Sequence, residues 1–215
     1  MRVQRIKHDH FGSISRVHEA GGDRIRRDTG NASPGLRLLA RLAAAREARA
    51  LGALRGLAGV PALLSWDGRR LDRGWIEGAP MQDARPRDPA YFRAARRLVH
   101  AMHARGVAHN DLAKEANWLV TPQGQPAVVD FQIARVGAPR APLMRLLMRE
   151  DLRHLLKHKR SYCPERLTPV ERRLLARRSW IARAWQATGK RVYILVARRI
   201  LNWEDNEGRG RRRVG

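Results

Sequence analysis

The sequence contains a single cysteine, Cys163, among its 215 residues, so it has no intramolecular disulfide. Proteins without disulfides are typical of reducing compartments. The sequence also lacks the run of about 18 apolar residues that a membrane-spanning helix needs. Its first residues lead into polar side chains instead of the apolar stretch of a signal peptide. These absences predict a cytoplasmic protein, and a hydrophobic content of 43% is enough for a proper core.

Acidic residues are scarce, because 20 Asp and Glu residues stand against 44 Lys and Arg residues, a net charge of +24. From residue 140 onward there are 21 Lys and Arg residues and 7 Asp and Glu residues. Such a surface attracts polyanions. An anionic membrane surface, which would place the protein at the inner face of the membrane, or a phosphorylated sugar would fit, and nucleic acid is the less favoured partner. A solvent-exposed charged face without any partner is the alternative.

The most informative pattern combines a His-x-Asp loop, formed by His109 and Asp111, with Asn117 six residues further on. Two short apolar runs then flank a turn at Gln123-Gly124, which predicts a β-hairpin. Asp130 follows the second run. Hairpin pairing would bring Asp111, Asn117 and Asp130 to one end, and such a set of oxygen atoms suits Mg²⁺.

This pattern resembles the protein-kinase superfamily, whose catalytic loop is His-Arg-Asp-Leu-x-x-x-Asn and whose metal loop is Asp-Phe-Gly. The corresponding residues are His109-Asn110-Asp111-Leu112, Asn117 and Asp130-Phe131-Gln132. The spacing to Asn117 is one residue longer than usual, and Gln132 stands where the family has glycine. No Ala-Pro-Glu follows, so the chain is more similar to small bacterial RIO-like or lipopolysaccharide-type kinases than to large eukaryotic protein kinases. The alternative is that His109 and Asp111 only cap a helix and stabilise a turn.

The resemblance implies an α+β, minimal bilobal kinase-like fold, with a small β-rich N-lobe carrying one helix and a mostly helical C-lobe. Residues 1–76 would form the N-lobe, which begins as a small, irregular β region and includes a helix over 36–55. Residues 77–82 would be the hinge and 83–205 the C-lobe. Residues 206–215 would form a basic, disordered tail.

Residues 10–17 resemble a degenerate glycine-rich loop, in which small residues let backbone N–H groups approach phosphate oxygens. The resemblance implies that Gly12, Ser13 and Val17 line the nucleotide site. An ordinary strand-turn-strand fits the local sequence equally well. Glu77 lies in the predicted hinge, where the adenine ring would bond to the backbone, although a plain linker is the alternative.

Kinases place a lysine on the third strand to hold the α- and β-phosphates, but no lysine occurs between Lys7 and Lys114. Arginine would take this role here. Strand alternation puts Arg27 on the same face as the apolar Ile25, so Arg27 is the favoured residue and Arg26 the alternative.

Glu47 lies on the apolar face of the predicted helix 36–55, and a carboxylate directed inward needs a partner. The resemblance supplies Arg27 as that partner. An ion pair with an arginine of the same helix is the alternative. Asp151 similarly lies on the apolar face of a helix predicted over 143–158. The resemblance implies that Asp151 braces the backbone of the catalytic loop, and an ion pair with Arg153 or His154 is the alternative. A helix predicted over 89–105 precedes that loop.

The implied function is phosphoryl transfer from ATP with Mg²⁺. Asp111 would orient the acceptor hydroxyl, Lys114 would neutralise the γ-phosphate, and Asn117 and Asp130 would hold the metal. His109 would be a brace. A protein Ser/Thr hydroxyl and a lipid-linked sugar fit equally as acceptor. A pseudokinase scaffold and a basic membrane- or RNA-associated binding module stay open as other classes.

Overall fold

The computed structural model describes residues 2–176. The predicted tail at 206–215 and the predicted C-lobe beyond residue 176 lie outside the described residues. Between residues 2 and 176, no helix combines the length and the hydropathy that crossing a bilayer requires.

The N-terminal region is a five-stranded antiparallel sheet with the strand order β1-β2-β3-β5-β4. Val17, Ile25 and Leu71 are buried from three neighbouring strands. The region 1–35 is therefore more regular than the sequence predicts, because β2 and β3 contribute Val17 and Ile25 to a shared core and β1, whose apolar residues Val3 and Ile6 are exposed, is held by pairing with β2. The strands are β1 (Arg2–Asp9), β2 (Gly12–His18), β3 (Arg24–Asp28), β4 (Leu63–Trp66) and β5 (Arg70–Gly74).

A single long helix, α1 (Arg37–Ala53), packs against this sheet and confirms the helix predicted over 36–55. Alanine and leucine favour helix throughout its length. Its buried face consists largely of alanines and also includes Glu47 and Leu51. Small side chains let the helix approach the sheet closely, and this approach brings Glu47 into the core.

The connection to the second lobe runs through a short strand, β6 (Ala79–Pro80), and a one-turn helix, α2 (Met81–Ala84). The predicted hinge 77–82 thus contains regular structure. Four residues are too few to show helical periodicity, which is why the sequence predicts only a loop after residue 82.

The second lobe places a three-stranded sheet and a two-stranded ribbon among helices. The predicted hairpin is confirmed, because Trp118 pairs with Val128 and the turn glycine, Gly124, has a positive φ of 71°. The last long helix extends to Tyr162, beyond the predicted end at 158, since no helix-breaking residue occurs before Pro164. The elements are α3 (Pro89–Ala104), β7 (Val107–Ala108), β8 (Trp118–Val120), β9 (Pro126–Val128), β10 (Arg135–Val136), α4 (Pro142–Tyr162) and α5 (Pro169–Ala176).

Gly12 begins β2 with a φ of 114°, a conformation that side chains disfavour. A Cβ atom there would also clash with the backbone carbonyl oxygen of Asp28 on β3. The packing of β2 against β3 therefore requires glycine at this position, whether or not a phosphate binds nearby.

We expect Gly12→Ala to lower the free energy of unfolding by about 1–3 kcal/mol, because it combines backbone strain with a steric clash. Urea denaturation of the nucleotide-free protein, followed by tryptophan fluorescence, measures this. Gly21→Ala is the matched control, since open space surrounds Gly21 and its φ is ordinary. Equal stability of the two variants would contradict the structural role of Gly12.

Candidate active site

The loop between β7 and β8 is organised around the buried imidazole of His109. Its Nε2 donates to the carbonyl oxygen of Val129 at 3.1 Å, and its Nδ1 accepts from the backbone N–H of Asp111 at 3.2 Å. The ring packs on Phe131 with 4.5 Å between centroids. Burial lowers the pKa of His109, which favours the neutral imidazole. His109 thus ties together the catalytic and metal loops, in keeping with its predicted role as a brace.

The carboxylate of Asp151 on α4 holds the backbone of the same loop. It accepts from the N–H of His109 at 2.8 Å and from the N–H of Asn110 at 3.0 Å. His103 on α3 donates to it at 3.1 Å. Asp151 is only 1% exposed, so these three bonds replace its hydration. The helical pattern predicted that Asp151 is buried, and the bracing contact that the kinase resemblance implied for it is present.

Asp111 contacts two polar side chains that follow it in the loop, those of Lys114 and Asn117. Lys114 Nζ lies 2.9 Å from Asp111 Oδ2. The Asn117 side-chain NH₂ donates to the backbone oxygen of Asp111 at 2.9 Å and to its Oδ2 at 3.0 Å. The loop ends in a short 3₁₀ turn, Glu115–Asn117. The side-chain NH₂ group of Asn117 is directed at Asp111, so the amide oxygen is the atom of this side chain that can bind a cation.

Asp130 follows the hairpin at the same end as Asp111. The N–H of Val129 donates to the backbone oxygen of Asn117 at 3.0 Å, which keeps the two chains adjacent just before Asp130. Asp130 has a φ of 68°, a left-handed conformation that aspartate tolerates better than most residues. Backbone strain of this kind clusters at functional sites.

The donor set at this end of the hairpin fits magnesium. Within residues 2–176 no three His, Cys, Asp or Glu side chains are grouped as a metal site. Asp130 and Asn117 contribute one carboxylate and one amide oxygen, with the Asp111 carboxylate bonded to Asn117. Mg²⁺ needs few protein ligands, since phosphate and water complete its octahedral shell.

In the N-lobe, the ion pair predicted between Arg27 and Glu47 is present, with Arg27 Nε 3.5 Å from Glu47 Oε2. Arg73 on β5 provides a second cation, with its Nε 3.0 Å from Glu47 Oε1. Glu47 is fully buried. Neither carboxylate oxygen of Glu47 accepts a well-directed hydrogen bond from the described residues. The attraction between its negative charge and the two arginines therefore stabilises it. Sequence reasoning missed Arg73, although strand alternation with the buried Leu71 indicates its inward direction.

The alternative residue, Arg26, is directed away from Glu47. Its Nε and Nη2 donate to the two carboxylate oxygens of Asp72 at 2.9 and 2.8 Å. A bidentate pair of this geometry is among the stronger ion pairs. The structure therefore favours Arg27 over Arg26 as the arginine associated with α1.

Gln132 connects the N-lobe ion pair to the metal loop. Arg27 Nη1 donates to Gln132 Oε1 at 3.1 Å, and Gln132 Nε2 donates to Asp130 Oδ1 at 2.5 Å. Sequence reasoning missed both contacts of Gln132. Arg27 and Gln132 are 105 positions apart, and no local pattern connects them.

The other predicted nucleotide-site residues lie at the start of the sheet and at the hinge. Gly12 and Ser13 open β2, while Val17 is fully buried within it. The Glu77 carboxylate accepts from Trp75 Nε1 at 2.7 Å and lies 3.6 Å from Arg16 Nη2. Because the Glu77 side chain contacts these two N-lobe residues, any contact with adenine would come from the backbone of the hinge.

We expect Asp151→Asn to lower the free energy of unfolding by about 1–3 kcal/mol, because one backbone N–H of the loop would face an NH₂ group instead of an acceptor. Chemical denaturation measures the change. Glu150→Gln, one residue earlier on the same helix, is the matched control. Equal effects of the two substitutions would show that Asp151 does not brace the loop.

Comparison with known proteins gives a structural likeness only. No protein-family model matches the sequence, and no curated protein matches it significantly. A solved Rio2 kinase from Chaetomium thermophilum, described as an ADP/Mg²⁺-phosphoaspartate complex, is similar with a TM-score of 0.57 and 16% identity. Another Rio2 kinase structure from the same organism gives 0.59 and 15%.

The similarity covers 87% of this chain and 65% and 66% of the two Rio2 chains. The chain therefore spans about two thirds of the length of these structures. A sequence identity this low shows similarity of fold alone. The five-stranded sheet with its helix, the hinge and the helical second lobe agree with that likeness. The chain has a bilobal, protein-kinase-like fold.

Proposed function

We propose that this protein is a phosphotransferase that uses ATP and Mg²⁺ to phosphorylate a hydroxyl group. One observation carries the proposal. Asp111 and its two contacts, Lys114 and Asn117, lie at the same hairpin end as Asp130. An orienting carboxylate, a cation and two metal-ligating oxygens in one place are the groups that phosphoryl transfer requires.

At the reacting end, Asp111 would accept a hydrogen bond from the acceptor hydroxyl and align it with the γ-phosphate. Lys114 is 62% exposed at its side chain and lies against Asp111, so its ammonium can reach an incoming phosphate. Catalysis in this class consists largely of positioning and charge stabilisation. The two residues would contribute one orienting group and one cation.

The metal would be held by Asp130 and by the amide oxygen of Asn117. When bound with ATP, Mg²⁺ neutralises charge on the β- and γ-phosphates. The ADP and Mg²⁺ in the description of one similar Rio2 structure support this choice of cofactors. Arg27, oriented by Glu47, would contact the α- and β-phosphates. Gly12, Ser13, Val17 and the backbone at Glu77 would surround the rest of the nucleotide.

Two acceptor classes fit, a protein Ser/Thr hydroxyl and a sugar hydroxyl on an anionic lipid. After the metal loop the chain forms only β10 before α4 begins at Pro142. This short connection leaves no extended platform for a peptide, which supports a small RIO-like or lipopolysaccharide-kinase type. The excess of Lys and Arg favours an anionic acceptor and a location at the cytoplasmic face of a membrane.

The first experiment is ATP binding and turnover by the purified full chain, with and without Mg²⁺. We expect a thermal shift with ATP that increases when Mg²⁺ is added. Asp130→Ala should abolish the Mg²⁺-dependent part of that shift. Asp111→Ala should still bind ATP but lose about 10²–10⁴-fold in turnover, because the positioned acceptor of the hydroxyl proton is gone.

Glu165→Ala is the control, since it removes an exposed carboxylate remote in sequence from the loops. It should leave binding and turnover unchanged. ATP binding without turnover in the wild-type protein would overturn the proposal in favour of a pseudokinase scaffold. If the wild-type protein bound no nucleotide, the proposal would also fail, and the basic surface would become the candidate functional region.

A further inference from the structure

A continuous set of polar contacts connects the N-lobe to the metal loop. It runs from Glu47 on α1 to Arg27 on β3, then to Gln132, and ends at Oδ1 of Asp130. Arg27 is 11% exposed at its side chain, so its interactions are largely sheltered from water. Buried polar contacts of this kind restrict side-chain orientation more than exposed ones do.

Two of the departures from the kinase pattern lie in this set. Arg27 stands where the family has lysine, and Gln132 stands where it has glycine. A guanidinium presents several donors in a rigid plane, so Arg27 can face Glu47 with Nε and Gln132 with Nη1. A lysine ammonium is a single compact group at the end of a flexible stem. It is poorly suited to contacting both partners from fixed, separate positions.

The amide of Gln132 is also oriented by what it contacts. Its oxygen accepts from Arg27, so its nitrogen must be the atom that faces Asp130. That nitrogen donates to one carboxylate oxygen of Asp130, whose backbone is in the left-handed conformation. Glycine at 132 would leave the Asp130 carboxylate without this donor.

We propose that Gln132 is a positioning residue for the Asp130 carboxylate and that Arg27 sets the orientation of Gln132. Arg27 and Gln132 then act as a matched pair that replaces the lysine and glycine of the kinase pattern. The inference rests on the proposed function, because it treats Asp130 as a metal ligand. Hydrogen-bond partners of metal ligands typically change metal affinity by about 10–100-fold when they are removed.

A contact that merely ties the two lobes together would affect stability and leave the metal dependence unchanged. The decisive readout is therefore the Mg²⁺ concentration that gives half of the Mg²⁺-dependent increase in ATP affinity. The stability of the nucleotide-free protein is a second, independent readout. Four proteins form the double-mutant cycle: wild type, Arg27→Lys, Gln132→Gly and the double variant.

We expect Gln132→Gly to raise the half-maximal Mg²⁺ concentration by about tenfold, near the lower end of the range for such partners. Arg27→Lys should raise it in the same direction. The half-maximal Mg²⁺ concentration of the double variant should be no higher than that of the more affected single variant, because each substitution already removes the shared contact. In nucleotide-free protein, Gln132→Gly should likewise shift the denaturation midpoint less in the Arg27→Lys background than in wild type.

Two control variants test the same chemical changes elsewhere. Gln123→Gly alters an exposed turn residue, and Arg24→Lys alters an arginine of β3 that pairs with Glu19. Both should leave the half-maximal Mg²⁺ concentration within about twofold of wild type, since neither residue contacts the metal loop in the described structure.

An unchanged Mg²⁺ requirement in Gln132→Gly would overturn the positioning role. Additive effects in both readouts would overturn the matched pair. Wild-type protein without Mg²⁺-dependent ATP binding would instead overturn the proposed function and, with it, the metal role of Asp130. The stability cycle would still decide whether Arg27 and Gln132 are coupled, so the two failures are distinguishable.

Discussion

The geometry of the catalytic loop depends on one buried negative charge, the carboxylate of Asp151. Burying a carboxylate costs several kcal/mol unless hydrogen bonds replace its hydration. Two backbone N–H groups and His103 supply those bonds, and one of the N–H groups belongs to Asn110, whose φ is 65°. The loop is thus held in a conformation that an isolated peptide would avoid. Because Asp111 follows directly, its direction is set by the packing of α3 and α4.

A second buried carboxylate, Glu47, has a comparable place in the N-lobe, but its partners differ from the usual kinase arrangement. Two arginines share it, and Arg73 lies closer than Arg27 does. In the proposed function this sharing matters, because a cation that contacts phosphate partly withdraws from its carboxylate. With Arg73 as a second cation beside it, Glu47 would stay paired when Arg27 also contacts a nucleotide, so no unpaired buried charge would result.

Local patterns predicted the long helices and the hairpin of the second lobe, but they missed α2 and the regularity of the first strands. The partners of Glu47 and Asp151 came from the family resemblance. Asp151 lies between Met148 and Leu155 on an apolar helix face, and that spacing alone indicated a buried carboxylate in need of a partner. The hairpin followed from two apolar runs and a glycine turn. Contacts between distant segments were not predictable in this way. Gln132 meets Arg27 only because the lobes bring a strand and a loop together, and its role depends on geometry that no sequence period encodes.

The departures from the kinase pattern bear differently on activity once their contacts are known. Taken one at a time, the missing lysine, replaced by arginine, favours a pseudokinase, whereas glutamine for glycine leaves Asp130 intact. In the structure they are hydrogen-bonded to each other, so they represent one altered arrangement and should not be counted as two losses. The contact with Asp130 continues this arrangement into the metal loop, where the proposed function would use it to orient a metal ligand.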